Sequence, residues 1–259
     1  MKTKTRTLTV LLTIFTALTA HAASVVLIAH DFTDGDGTTL NGETVDGGTL
    51  QTGGLTWVSP DDTTMTKDGA INAPNELSAH INISSVINPA DQGKFELEIV
   101  VDNTMVDGPR MMTVGFWSTT PGTGESHDRP TSAAWWLWRG NDEIQILGGL
   151  GYTPGENITS SLSTGGGFET LTTVLDFTSY NGTSDYGTME VFEGANSFGT
   201  IAFTGDESFN AVGIGGRYGT TVTGTIQSFT LSAVPEPSST ALLGLGLALG
   251  GLGLRRRRG

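Results

Sequence analysis

From residue 25 to residue 232 the chain is a series of short apolar and β-branched runs, each closed by Gly, Asn, Asp or Ser. The clearest run is Lys94 to Asp102. Phe95, Leu97, Ile99 and Val101 fall on one side of a period of two, and Glu96, Glu98, Val100 and Asp102 on the other. That alternation predicts a strand with one face in a core and one in water. Leu77 to Ile83 alternates in the same way, with Leu77, Ala79, Ile81 and Ile83 on one face. Val25 to Phe32 is apolar nearly throughout, which predicts a buried strand. Further strands are expected at Leu55 to Val58, Met111 to Ser118, Ala133 to Arg139, Glu143 to Leu147 and Glu169 to Phe177. Thr188 to Phe192, Gly199 to Thr204, Ala211 to Arg217 and Thr223 to Ser232 complete the set. Asp34-Gly35, Asp36-Gly37, Asn41-Gly42, Asp46-Gly47-Gly48 and Asn181-Gly182 mark tight turns. No amphipathic helical period runs through this body. The pattern predicts an all-β fold, a two-sheet antiparallel jelly-roll sandwich.

The two ends have a different pattern. Met1 to Ala22 has a positive start (Lys2, Lys4, Arg6), an apolar run from Leu8 to Leu18 and the small-residue site Ala20-His21-Ala22. This is the layout of a secretory signal peptide, with cleavage placing Ala23 first. The last stretch joins Val234-Pro235-Glu236-Pro237, a charge-free run from Ala241 to Leu254, and Arg255, Arg256, Arg257 and Arg258. Pro235 and Pro237 hold the backbone extended. The apolar run suits a bilayer and the arginines prefer its cytoplasmic side. As a helix, its 14 residues reach about 21 Å, short of a roughly 30 Å hydrocarbon core. Such a marginal transmembrane helix suits a temporary hold better than a permanent anchor. The expected organisation is therefore 1–22 signal peptide, 23–233 sandwich and 234–259 tail.

The three-part tail resembles the PEP-CTERM sorting signal of Gram-negative bacteria. That resemblance implies processing by an exosortase-type enzyme of the inner membrane and delivery to the cell surface or extracellular polysaccharide matrix. The body in turn resembles concanavalin A-like and laminin G-like sandwiches. The stretches that carry this are Asp31-Phe32 with Leu40-Asn41-Gly42, then Gly53-Gly54-Leu55-Thr56-Trp57, then Ala134-Trp135-Trp136-Leu137-Trp138-Arg139, and finally Gly224 to Leu231. No catalytic motif comes with it.

Charge sharpens the picture. Seven of the 13 basic residues and one of the 27 acids lie in the two ends, so the body holds 6 against 26, a formal charge of −20. Such a surface repels nucleic acid and anionic lipid. The chain has no cysteine, which excludes disulfides, thiolate metal sites and a Cys nucleophile.

Four groups are candidates for chemistry. Glu96, Glu98 and Asp102 form the best carboxylate cluster, but the Glu-x-Asp-x-Glu pattern of sandwich glucanases is missing its third acid. Asp102 stands about 13 Å along the strand from Glu98, far beyond the roughly 5 Å of a retaining pair, so a solvated face is expected. Asp31, Asp34 and Asp36 are acids among glycines, the composition that wraps Ca²⁺. Position twelve of an EF-hand loop would be Gly42 or Val45, so a plain turn is the first reading and a calcium site the second. Trp136 and Trp138 point one way from their strand and Trp135 with Leu137 the other. Core packing is the first expectation for these indoles, and one sugar-stacking indole beside Arg139, Asn141 and Asp142 the second. The histidines His30, His80 and His127 lack zinc-site spacing, and Ser126-His127-Asp128 is adjacency, not a triad.

The expected protein is exported and not an enzyme. Its partners are the secretion translocon and signal peptidase, an exosortase-type enzyme, the inner membrane in passing, and extracellular polysaccharide. No cofactor is expected, Ca²⁺ being the one ion considered. A glycoside hydrolase or lyase on the same fold, and a purely structural matrix protein, are the alternatives.

Overall fold

Apolar residues at alternate positions make strands, and all but three short strands pair in two sheets around a shared core. A computed structural model of the chain describes residues 23–32, 38–51, 54–59, 66–67, 71–72, 78–102, 111–118, 133–139, 144–148, 157–158, 168–205, 208–217 and 226–235. Its strands in chain order begin with β1 (Val25–Asp31), β2 (Thr38–Thr39), β3 (Trp57–Val58), β4 (Thr66–Lys67), β5 (Ile71–Asn72) and β6 (Ser78–Ile87). Then come β7 (Lys94–Asp102), β8 (Met111–Trp117), β9 (Ala133–Arg139), β10 (Ile144–Gly148) and β11 (Asn157–Ile158). The last are β12 (Phe168–Asp176), β13 (Thr188–Glu193), β14 (Asn196–Ala202), β15 (Phe209–Arg217) and β16 (Ile226–Val234).

One sheet has six strands in the order β1-β16-β7-β12-β13-β14, the other seven in the order β11-β10-β9-β8-β15-β6-β3. The chain changes sheet between β6 and β7, again between β7 and β8, and repeatedly thereafter, so strands distant in sequence lie side by side. Phe95, Leu97, Ile99 and Val101 are buried as the alternation predicts, and Glu98 is exposed. Residues 25–233 form one compact unit. The other unit comprises residues 1–24 and 234–259, of which 23, 24, 234 and 235 are described. The expected signal peptide and membrane-spanning run lie outside the described residues. Among those described, no helix is long and apolar enough to cross a membrane. A 3₁₀ turn, Pro89–Asp91, is capped by the Asn88 side chain, which accepts from the Ala90 N–H.

The first strand departs from simple alternation. A register shift between Val26 and Ile28 buries Leu27 and Ile28 in succession. The outer edge of β1 is then covered. Ala29 and Gly47 exchange backbone hydrogen bonds of 2.8 and 3.0 Å, and Thr49 and Leu50 donate to Val26 and Leu27 at 3.0 Å. Gly48 allows this approach: its φ is +107°, and a Cβ there would come within 2.7 Å of the Ile28 nitrogen.

Candidate functional site

The seven-stranded sheet carries the most unusual side chains, and strand alternation sorts them. Ala79, Ile81, Val114, Phe116, Trp136, Trp138, Ile144, Ile146, Val212 and Ile214 belong to the central core. The intervening positions face away from it. There Trp117, Trp135, Leu137 and Ala211 form a second, smaller buried cluster. The expected split of the tryptophan strand is thus present, and both of its faces are packed. Trp136 and Trp138 are 0% and 1% exposed, so neither offers a ring face to a sugar. Their burial replaces the stacking expectation with a structural role. Trp136 Nε1 donates to Thr173 Oγ1 of β12 at 2.8 Å, a hydrogen bond that ties one sheet to the other. Arg139 ends β9 opposite Met111.

The outward face of this sheet is organised in rows. One row runs His80, Gly213, Gly115, Trp135 across β6, β15, β8 and β9. On one side of it lies Ser78, Gly215, Thr113, Leu137, Gln145, and on the other Asn82, Ala211, Trp117, Ala133. The two glycines of the central row are required by strand spacing. A Cβ on Gly213 would fall on the Ala79 carbonyl oxygen and 2.7 Å from His80 Cα, and one on Gly115 would fall on Trp135 Cβ.

Three buried residues of this face have side-chain atoms without a hydrogen-bond partner: His80 at both ring nitrogens, Thr113 at Oγ1 and Trp117 at Nε1. Each is at most 2% exposed. Leaving a buried donor or acceptor unmet costs about 1–3 kcal/mol, so such groups are normally satisfied. Burial also pushes the His80 pKa down to about 4, which keeps the ring neutral near pH 7. None of this was visible in the sequence, where His80 sits at a solvent position of an alternating strand.

The other candidates are dispersed. Glu96 and Glu98 lie on the outward face of the six-stranded sheet, opposite Val174 and Thr172. Asp102 ends β7 opposite Phe168, which is 51% exposed. Glu190 follows Val174 across the same face and accepts from Ser197 Oγ at 2.5 Å. The backbones of Glu96 and Glu190 are two strand spacings apart, about 9.5 Å. These acids stand on a broad half-exposed surface. Asp31 is exposed, and its backbone N–H donates to Asp46 Oδ2 at 2.7 Å. The same oxygen lies 3.2 Å from His30 Nδ1, so Asp46 links strand β1 to the segment covering its edge. Asp34 and Asp36, with Asn141, Asp142 and His127, lie outside the described residues. Among those described, no three His, Asp or Glu side chains gather as a metal site would require. At the far end of the body, Ala233 pairs with Val25 and β16 ends at Val234, directly before Pro235. Glu236, Pro237 and Arg255 to Arg258 lie outside the described residues, as do Ala20 and Ala22; Ala23 is exposed.

The described residues therefore define an antiparallel two-sheet sandwich whose last strand runs directly into a short tail. Residues 233–258 of that tail match the PEP-CTERM protein-sorting motif. The motif implies exosortase-dependent export and membrane-associated sorting to the cell surface. No curated protein matches the chain. Among solved structures, a sialidase from Trypanosoma rangeli is 13% identical over 83% of this chain and 31% of its own, with a TM-score of 0.47. A protein of unknown function from Shewanella oneidensis is 11% identical over 92% of this chain and 100% of its own, also with a TM-score of 0.47. A Caenorhabditis elegans galectin is 13% identical over 59% of this chain and 88% of its own, with a TM-score of 0.37. The chain spans about a third of the sialidase's length. Likenesses this loose decide nothing about chemistry.

Proposed function

We propose that this chain is a non-catalytic protein of the cell surface or extracellular polysaccharide matrix of a Gram-negative bacterium. It is exported through a cleaved signal peptide, paused in the inner membrane by its tail, and released by an exosortase-type enzyme. Its sandwich then binds polysaccharide. The observation that carries this reading is the sorting motif at residues 233–258, which begins within the last strand of the sandwich. The carboxylates support the absence of catalysis: Glu96 and Glu98 neighbour each other on one strand of an open face, with Val174 and Thr172 opposite. Cell fractionation with and without the exosortase, with intact-mass analysis of the surface form, tests the sorting half. Retention of Arg255 to Arg258 in that form would refute processing. A pull-down with the cell's own matrix polysaccharide tests the binding half, and no capture of the exported protein would remove it.

A structural matrix component without a ligand is the second reading. All five tryptophans, Trp57, Trp117, Trp135, Trp136 and Trp138, are at most 3% exposed, which favours a sealed sandwich.

A further inference from the structure

Two open sheets have four edges, and three of them are covered or short. Residues 47–50 run beside β1 and bond to its backbone. Beside β3, the Gly42 N–H donates to the Trp57 carbonyl and the Trp57 N–H to the Glu43 carbonyl, both at 2.8 Å. β11 is two residues long. The fourth edge is β14, seven residues long, which pairs on one side with β13 and on the other with no described strand.

The free side of β14 can be worked out rung by rung. The Phe203 N–H donates to the Gly187 carbonyl at 2.9 Å, and these two stand opposite each other one step beyond Ala202 and Thr188. Opposite residues of an antiparallel pair alternate between bonded and non-bonded. Ile201 with Met189 and Gly199 with Val191 are then the bonded pairs, and the N–H and C=O of Thr200 and Ala202 point away from β13. Thr200 and Ala202 are exposed, while the Ile201 side chain between them belongs to the core. Upstream, a register shift at Phe192 and Ser197 and a φ of +125° at Gly199 interrupt the ladder. The regular free edge is therefore residues 200–202.

Natural sheets guard such an edge with charge, proline or cover. Asn196-Ser197-Phe198-Gly199-Thr200-Ile201-Ala202 contains neither a charged residue nor a proline. What the edge offers is two N–H donors and two C=O acceptors at strand spacing, and an occupant must return the same set. A second copy of the edge, turned about a two-fold axis at Ile201, does so. Thr200 of each copy faces Ala202 of the other, and four backbone hydrogen bonds close. No like charges meet on these rungs, so two bodies of formal charge −20 approach here along an uncharged stretch.

We propose that β14 is a self-association edge, through which two copies of this chain join their six-stranded sheets into one. The pairing stops at two copies, because each brings one such edge. Four hydrogen bonds make a weak dimer, suited to a protein concentrated at a surface, and the mutual repulsion of the bodies makes it tighten as salt rises. The proposal holds whether or not the body binds polysaccharide.

Sedimentation velocity of the exported protein would be run from about 1 μM to about 1 mM, the range in which so few bonds place a Kd. Hydrogen exchange of the Thr200 and Ala202 amides would be followed on the same samples. The expected result is a dimer that grows with concentration and salt, with both amides slowing as it forms. Ala202→Pro removes an N–H that β13 does not use, and Thr200→Lys puts a charge on the edge. Each is expected to weaken the dimer at least about 10-fold, since a symmetric pair loses each contact twice, with Tm at low concentration unchanged. If Ala202→Pro lowers that Tm, Thr200→Lys decides alone. Ser179→Lys adds the same charge at an exposed turn residue and is expected to leave the dimer intact. A monomer at every concentration, a dimer that keeps its affinity in both edge variants, or a species larger than a dimer would overturn the proposal.

Discussion

His80 makes the stability of this sandwich sensitive to acid in a way that can be worked from its surroundings. Its ring is 1% exposed, neither nitrogen has a hydrogen-bond partner, and burial lowers its pKa from 6.5 to about 4. In the unfolded chain the same imidazole takes a proton near pH 6.5. Because the folded pKa is depressed, the unfolded state binds more protons between the two values. Stability is therefore full above pH 6.5 and is lost as the pH falls toward 4. Two and a half decades at about 1.4 kcal/mol each give a loss of about 3 kcal/mol by pH 4 and most of it by pH 4.5. Carboxylates titrate over the lower part of that range, so the comparison must be between proteins and not only between pH values. Urea unfolding of the wild type and of His80→Phe at pH 7.5 and pH 4.5 isolates the histidine. The variant is expected to be at least as stable as the wild type at pH 7.5, since it removes two unmet polar atoms, and to lose about 2–3 kcal/mol less on acidification. Equal losses in the two proteins would refute the argument and place His80 in contact with solvent or with a partner that accepts its charge.

Trp136→Phe leaves the Thr173 hydroxyl buried and unpaired, so it is expected to cost about 1–3 kcal/mol in urea unfolding. Adding Thr173→Val should recover part of that, and strictly additive losses would show that the bond contributes nothing. Gly213→Ala pushes β15 against the β6 backbone and is expected to lower stability by about 1–3 kcal/mol or more; an unchanged Tm would mean that the two strands separate freely. Glu96→Gln and Glu98→Gln stand on a half-exposed face and should each change stability by no more than about 0.5 kcal/mol. If either abolished a polysaccharide-cleaving activity of the exported protein, the non-catalytic reading would fall.

The sequence was most legible where one rule decided the outcome. Lys94 to Asp102 has strict alternation and is a strand with those bounds. The tryptophan strand was assigned its two faces correctly, because period two holds whatever covers each face. Legibility failed where pairing is long-range or phase is broken. The two-residue strands β2, β4 and β5 make a small sheet of their own from stretches that read only as turns and loops. β14 begins at Asn196 and not at Gly199, because a register shift at Phe192 and Ser197 hides its alternation. The polar face was illegible for a related reason. Alternation tells which side of a sheet a residue takes, but not whether that side is dry. His80, Thr113 and Trp117 lie on the side away from the main core, and a second buried layer there changes what their polar atoms require. Asp46 was read only as a turn residue, yet it reaches both His30 and the Asp31 backbone across fifteen residues of chain.

The sorting motif gains a structural meaning from its neighbour. It begins at residue 233, inside β16, so its first two residues are also the last two of the sandwich. That strand is not an edge: β1 lies on one side of it and β7 on the other. The six-stranded sheet therefore cannot close until the chain through Val234 is free to pair. Pro235 and Pro237 then stop the strand, because neither can donate to a further rung of the ladder. A cut that leaves the body folded must therefore lie beyond Val234. A cut before Ile226 would remove the strand between β1 and β7 and leave the hydrogen-bonding edge of β7 open, the condition in which sheets aggregate.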